Sequence, residues 1–108
     1  MTTEIKVQVS SGNVFADLGL PNSDEKLIKA ELARRISEII TKRHMNQAEA
    51  AELLWIDQPK VSALMRGKLT GFSTERLFRF LNALGRDVEI VVKSKPRSRI
   101  QARTRVIC

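Results

Sequence analysis

The stretch that decides the fold is residues 45–67, MNQAEAAELLWIDQPKVSALMRG. Asn46 stands before its first half and Asp57 before its second half. Both residue types are favoured helix caps, because their side-chain oxygens accept the free N–H groups of a first helical turn. Pro59 suits the first turn of the second half and Gly67 suits its end. The segment therefore predicts two short helices, residues 47–54 and about 58–66, joined by a tight turn.

The apolar residues of this stretch have the spacing of buried positions. The expected core positions are Ala48, Ala51, Leu54, Ile56, Val61 and Leu64. Val61 and Leu64 are three residues apart, so they share one helix face and anchor the second helix on the first. The polar side chains Gln58, Lys60, Ser62 and Arg66 then point elsewhere.

Groove size gives this arrangement a chemical use. The major groove of DNA is about 12 Å wide and admits one α-helix. From such a helix, Gln can pair with adenine, Lys can donate to guanine, and Ser can donate or accept. The first turn of the preceding helix offers N–H groups to a phosphate. The predicted DNA-contact residues are Arg43, Asn46, Gln47, Gln58, Pro59, Lys60, Ser62, Arg66 and Lys68. The alternatives are a solvated polar face on the second helix and general surface charges at Arg43, Arg66 and Lys68.

The same 23 residues resemble the helix-turn-helix of the XRE/Cro–repressor family. The matching elements are a cap, a Gln, a small Ala, a β-branched turn residue, a second cap, a polar triplet, Val-Ser and a final Gly. They stand here as Asn46, Gln47, Ala51, Ile56, Asp57, Gln58-Pro59-Lys60, Val61-Ser62 and Gly67. The family usually has Gly where this chain has Trp55, so either the turn is altered or Trp55 is exposed for a partner.

A wider resemblance covers residues 12–93, from the lead-in GNVFADLGL at 12–20 to GRDVEI at 85–90. It is closest to short HigA-type antitoxin regulators. The resemblance implies two roles: repression of the protein's own operon as a dimer, and neutralisation of a RelE-like toxin, a ribosome-dependent mRNA nuclease.

The periodicity elsewhere completes the fold. Helical spacing predicts a first helix over residues 24–43, with Asn22 or Ser23 as its cap, and a last helix from Ser73 or Thr74 to just before Gly85. The β-branched run at 87–93 predicts a strand, and the alternation at 4–9 is typical of a second one. The predicted fold class is all-α, a helix-turn-helix repressor-like bundle of about four helices with a short C-terminal strand.

A strand needs a partner for its backbone. The candidates are the 4–9 segment, the same strand of a second subunit, or another protein. Pairing across a two-fold axis would also cover the apolar side chains of the strand, which predicts a homodimer. The expected dimerisation residues are Val88, Ile90 and Val92.

The net charge of +7 is unevenly distributed. Residues 93–108 carry six basic side chains and no acidic one, so the other 92 residues hold 13 basic against 12 acidic side chains. Basicity is thus largely a property of the tail. The predicted organisation is an extended segment and loop at 1–23, the helix-turn-helix domain at 24–93 and a disordered basic tail at 94–108.

Several function classes find no support in the sequence. The chain has one Cys and one His, no phosphate-binding or dinucleotide motif, and no apolar run long enough to cross a bilayer. We therefore expect no metal, no cofactor, no catalysis and a cytoplasmic location. The predicted function is a sequence-specific repressor that binds palindromic double-stranded DNA and serves as an antitoxin. The alternatives are a protein-binding antitoxin and an assembly module.

Overall fold

The computed structural model describes residues 4–8, 22–100 and 103–107. Most of the predicted N-terminal loop, residues 9–21, lies outside the described residues. Within these ranges the chain forms four helices followed by a strand, as predicted, and a second strand precedes the helices. The elements in order are β1 (Glu4–Gln8), α1 (Asn22–Lys42), α2 (Gln47–Leu54), α3 (Gln58–Met65), α4 (Thr74–Ala83) and β2 (Glu89–Lys93).

Helices α2, α3 and α4 each begin at a capping side chain. The backbone N–H three residues into each helix donates to Asn46 Oδ1 at 2.8 Å, to Asp57 Oδ1 at 3.0 Å and to Ser73 Oγ at 3.1 Å. The predicted bounds of α2 are confirmed, because a cap is a local interaction that sequence spacing reveals. Three other predicted ends were off by a residue or two: α1 begins at Asn22 and ends at Lys42, and α3 ends at Met65. Asn22 and Ser23, predicted as caps, therefore lie inside α1. Helix ends fray, and such differences are within the usual range.

All four helices end in the same type of left-handed turn. His44, Trp55, Gly67 and Gly85 have φ values of 54°, 59°, 78° and 80°. In each case the next residue donates its N–H to the carbonyl five residues back, at 2.9–3.2 Å, which is the bond of a Schellman motif. The turn at Trp55 therefore keeps the conformation that a glycine would adopt, and the side chain of Trp55 is 92% exposed. Of the two alternatives left by the sequence, the exposed Trp55 is the one observed, and the turn is unaltered.

Replacing Trp55 by glycine is expected to raise the free energy of unfolding by about 0.5–1 kcal/mol. A left-handed conformation costs a residue with a Cβ roughly 1–2 kcal/mol, from which the larger entropy of glycine in the unfolded chain subtracts part. Urea unfolding followed by circular dichroism measures the change. Trp55→Ala is the matched control, since it removes the same exposed side chain and retains the strain. A Trp55→Gly variant less stable than Trp55→Ala would contradict the strained turn.

The core lies between the four helices. Helix α1 packs against α4 and α3, and α2 packs against α3 and α4. The buried apolar side chains are Ile28, Leu32, Ala33, Ile36, Ile40, Ala50, Ala51, Leu54, Val61, Leu64, Phe72, Leu77, Phe78, Phe80, Leu81 and Leu84.

One predicted core position is wrong. Ala48 is exposed, and Ala50 is fully buried in its place. Gln47 and Glu49 are exposed as well, so the whole first turn of α2 projects beyond its neighbours. The buried face of the short helix starts only at its second turn. Ile56 is half-buried against the core, as a residue below the turn should be.

The two strands pair with each other in an antiparallel ladder. Ile5 lies opposite Val92, and Val7 lies opposite Ile90. Strand β2 begins at Glu89 rather than at residue 87, and Val88 lies just before it. The first of the three candidate partners, the 4–9 segment, is the one observed. The unpaired backbone from which the homodimer was inferred is thus already paired along one edge within the chain.

The C-terminal segment beyond β2 has no helix or strand within residues 94–100 and 103–107. Val106 nevertheless packs, partly buried, against the core. The positive charges of Arg105 and then Arg99 lower the pKa of the Arg103 guanidinium. The domain limits at 23/24 and 93/94 stay predictions.

Candidate nucleic-acid interface

The N-terminal end of α3 presents three consecutive exposed side chains. Gln58, Pro59 and Lys60 are all exposed, whereas Val61 and Leu64 on the other side of the same helix are buried. The buried side of α3 packs on the core, and its first turn is exposed on the opposite side. The Asp57 cap uses only the backbone N–H of Lys60, so the Lys60 ammonium group is left to reach outward. This is the arrangement expected of a helix that enters a groove with its N-terminal residues foremost.

Three further predicted contact residues follow along α3 and the loop after it. Ser62 is half-buried, and Arg66 and Lys68 are exposed. The Nε of Arg66 donates to the Ser62 carbonyl at 3.4 Å, so this guanidinium lies back along the helix. Lys68 has its backbone fixed by a 2.9 Å bond to the Ala63 carbonyl and its side chain exposed. Both cations are thus available to phosphate at the end of α3 opposite to Lys60.

The first turn of α2 is the second part of the site. Asn46 and Glu49 form a capping box: Asn46 Oδ1 accepts from Glu49 N–H at 2.8 Å, and Glu49 Oε1 accepts from Asn46 N–H at 3.0 Å. The Oδ1 atom and the backbone N–H of Asn46 are therefore both engaged in hydrogen bonds with Glu49. The N–H groups of Gln47 and Ala48 are first-turn donors of the kind that have no partner within a helix, and both residues are exposed. Gln47, rather than Asn46, is the better placed of the two predicted phosphate ligands.

Arg43, a predicted DNA contact, also makes a contact inside the chain that was not expected. Its Nη2 donates to the Leu84 carbonyl at 2.5 Å, at the end of α4. That carbonyl is one of the acceptors that a helix leaves unpaired at its C-terminus, where a cation is also favoured. The contact spans 41 residues and ties the end of α1 to the end of α4. Sequence spacing carries no sign of it.

Replacing Arg43 by alanine tests which role dominates. We expect the free energy of unfolding to fall by about 1 kcal/mol, because a charge-assisted hydrogen bond at a partly exposed site is lost. We expect the slope of log affinity for DNA against log salt to stay unchanged. Urea unfolding and titration at several salt concentrations measure the two quantities. A slope reduced by about one unit with unchanged stability would instead support a phosphate contact.

An open cleft of about 310 Å³ lies at the other end of α2, and the sequence predictions missed it. Trp55 and Ile56 border it on one side, and Arg76 and Phe80 of α4 border it on the other. Arg79 of α4 also lines the cleft, and neither Arg76 nor Arg79 had a predicted functional role. The one signal in the sequence was a tryptophan at a position where the resembled family has glycine.

Metal binding and membrane insertion find no support among the described residues. Within 4–8, 22–100 and 103–107, no three His, Cys, Asp or Glu side chains are grouped so that they could hold a metal ion. In the same ranges, no helix is both long and apolar enough to span a bilayer.

Comparison with known proteins agrees with this geometry. Residues 14–93 match a family model described as a helix-turn-helix domain. A solved structure assigned to the XRE family of transcriptional regulators is 50% identical in sequence, with a TM-score of 0.78. The similarity covers 82% of this chain and 99% of that one. No curated protein matches the chain. With the exposed end of α3, its cap and its buried anchors, the matches show that this chain belongs to the XRE-type helix-turn-helix family.

Proposed function

We propose that this chain is a transcriptional repressor that binds a specific sequence of double-stranded DNA. The observation that carries the proposal is the exposed Gln58-Pro59-Lys60 end of α3, held from beneath by Val61 and Leu64. In the major groove Gln58 would pair with an adenine and Lys60 would donate to a guanine. Pro59 contributes shape, since it is exposed and has no N–H to donate.

Phosphate contacts would set the position of α3 in the groove. Gln47 and the first-turn N–H groups of α2 are available on one side, and Arg66 and Lys68 on the other. Such contacts fix register and orientation and carry no sequence information themselves. Because residues 1–92 are nearly neutral, their contribution to DNA affinity depends on these few contacts, and the general positive charge belongs to residues 93–108.

Selection of binding sites from random duplexes tests the proposal. We expect one sequence to be enriched, in two inverted half-sites about one helical turn, roughly 34 Å, apart. The same sequence should be protected from cleavage upstream of the gene that encodes the chain. Selection that enriches no sequence, at a salt concentration where the duplex still binds, would contradict the proposal.

Homodimerisation through β2 belongs to the same proposal. Inverted half-sites require a two-fold protein, and among the described residues no third strand pairs with the β1–β2 sheet. Val91 and Val92 are 42% and 39% exposed, and Val88 and Ile90 are half-buried. The proposed interface consists of Val88, Ile90 and Val92. Light scattering at micromolar concentration should give twice the mass of the chain, and a monomer would contradict the dimer.

A second candidate function is that of an antitoxin that binds a RelE-like toxin. It is supported by the wider resemblance over residues 12–93 and by the open sheet edge, to which another protein can add a strand. Co-expression with a RelE-like protein encoded beside this chain should restore growth and yield a stable complex. If that complex forms while no duplex is bound, the chain is a protein-binding antitoxin only. If neither ligand binds, the assembly-module alternative remains.

A further inference from the structure

The cleft beside Trp55 lies between the C-terminal end of α2 and helix α4. The residues that line it are Leu53, Leu54, Trp55, Ile56, Arg76, Arg79, Phe80 and Ala83. Leu54 and Phe80 are almost fully buried, so the accessible apolar surface of the cleft comes from Trp55 and the half-buried Leu53 and Ile56, and its charged groups are two arginines. None of these residues belongs to the proposed DNA contacts.

Trp55 is an unfavourable residue at this position for the isolated domain. It holds a left-handed backbone conformation in which a bulky residue is a clear outlier, and 92% of it faces water. Neither cost is compensated by packing within the described residues. Exposed aromatic side chains beside a pocket are typical of sites where a few residues supply most of a protein–protein binding energy.

Arg76 is fixed in place while its charge stays unneutralised. Its guanidinium carbon lies 5.2 Å from the ring centroid of Phe72 and 5.7 Å from that of Phe80. Its Nη1 donates to the Gly71 carbonyl at 3.1 Å. No carboxylate in the described part of the chain pairs with it, whereas Arg79 pairs with Glu75 at 2.9 Å. The same cleft thus presents an oriented cation and an exposed aromatic side chain, Trp55.

We propose that this cleft binds an acidic amphipathic segment of another protein. An apolar side chain of that segment would pack against Trp55 and the half-buried Leu53 and Ile56, and a carboxylate would pair with the guanidinium of Arg76. The charge complementarity favours this occupant over a second copy of the chain. In a two-fold contact, the two arginines of one cleft would face the same arginines of the other. The apolar part of the cleft also favours an acidic amphipathic segment over duplex DNA, because stacked bases and phosphates present no apolar side chain to pack against it.

Fluorescence of the full chain tests the proposal directly. The sequence contains one Trp and no Tyr, so tryptophan emission reports on this site alone. The probe is a synthetic helical peptide with Leu along one face and Glu elsewhere, and its control replaces every Glu by Lys. The Glu peptide should shift the emission to the blue and saturate, and the Lys peptide should do neither. Equal binding of both peptides, or no shift with either, would overturn the proposal.

Variants then locate the contact. With labelled Glu peptide and anisotropy as the readout, Trp55→Gly and Arg76→Gln should each weaken binding by about tenfold, the effect of a binding hot spot. Arg66→Gln is the matched control, because it removes an exposed arginine at the proposed DNA contact and should leave peptide binding unchanged. Trp55→Gly is expected to be more stable than the parent chain, so its loss of binding cannot be attributed to unfolding.

Two other outcomes would assign the cleft to a different occupant and so overturn the proposal. A blue shift of the protein alone as its concentration rises would show that a second copy fills the cleft. A loss of duplex affinity in Trp55→Gly that equals its loss of peptide affinity would place the cleft in the DNA interface. Because duplex and peptide binding are measured separately, failure of this proposal is distinguishable from failure of the repressor function.

Discussion

Replacing Leu64 by alanine is expected to lower the free energy of unfolding by about 2–5 kcal/mol. Leu64 is 1% exposed and lies on the buried side of α3, where its removal leaves a cavity in the core shared by the four helices. Since a domain of this size is stable by only about 5–15 kcal/mol, the loss is a large part of the total. The same packing holds the Gln58–Lys60 end of α3 in position, so DNA affinity should fall with stability.

Urea unfolding followed by circular dichroism measures this effect. Tryptophan emission is a poor probe here, because Trp55 is already exposed in the folded chain. Leu27→Ala is the matched control: it makes the same change on α1, where Leu27 is 68% exposed, and should alter stability by no more than about 0.5 kcal/mol. Similar losses in the two variants would show that Leu64 is not a core residue.

Replacing Lys60 by alanine is expected to reduce discrimination at one base pair by about 1–3 kcal/mol, with little effect on stability. The side chain is exposed, and the capping bond from Asp57 uses the backbone N–H, which alanine retains. Gln58→Ala should act in the same way at a different base pair. The measurement is the affinity for the selected duplex and for its single-base variants at one salt concentration.

Lys68→Ala is the matched control for Lys60→Ala. It removes an exposed lysine from the loop after α3, where we propose a phosphate contact. It should weaken binding to all sequences alike and reduce the salt slope by about one unit. If Lys60→Ala also weakens all duplexes uniformly, Lys60 contacts the backbone and reads no base.

The predicted caps of α2 and α3 agreed with the structure. The bounds of α2 and the beginning of α3 follow from Asn46 and Asp57, whose hydrogen bonds span three residues. The beginning of α1 also rested on a predicted cap and was off by two residues, since Asn22 and Ser23 lie inside the helix. The exposed face of α3 could be predicted because Val61 and Leu64, three residues apart, must both face the core.

The predictions that depended on neighbouring elements were weaker. Ala48 and Ala50 cannot be distinguished by residue type, and only the extent of the surrounding helices decides that Ala50 is buried and Ala48 is not. The bond from Arg43 to the Leu84 carbonyl could not be predicted, because it depends on where the end of α4 lies. The partner of β2 was one of three candidates, because a strand pattern shows that a ladder is needed and not which segment supplies it.

The amino-acid sequence by itself determined the helix-turn-helix and the polar residues at the end of α3, because caps, turns and helical spacing are interactions within a few residues. Tertiary structure decided what lies far apart in the chain: β1 against β2, Arg43 against Leu84, and Trp55 beside Arg76. Such contacts depend on where the packed core places each element, which no local pattern specifies. Trp55 needed both kinds of information: the sequence showed that it occupies the usual glycine position, and the structure showed that it borders a cleft together with Arg76.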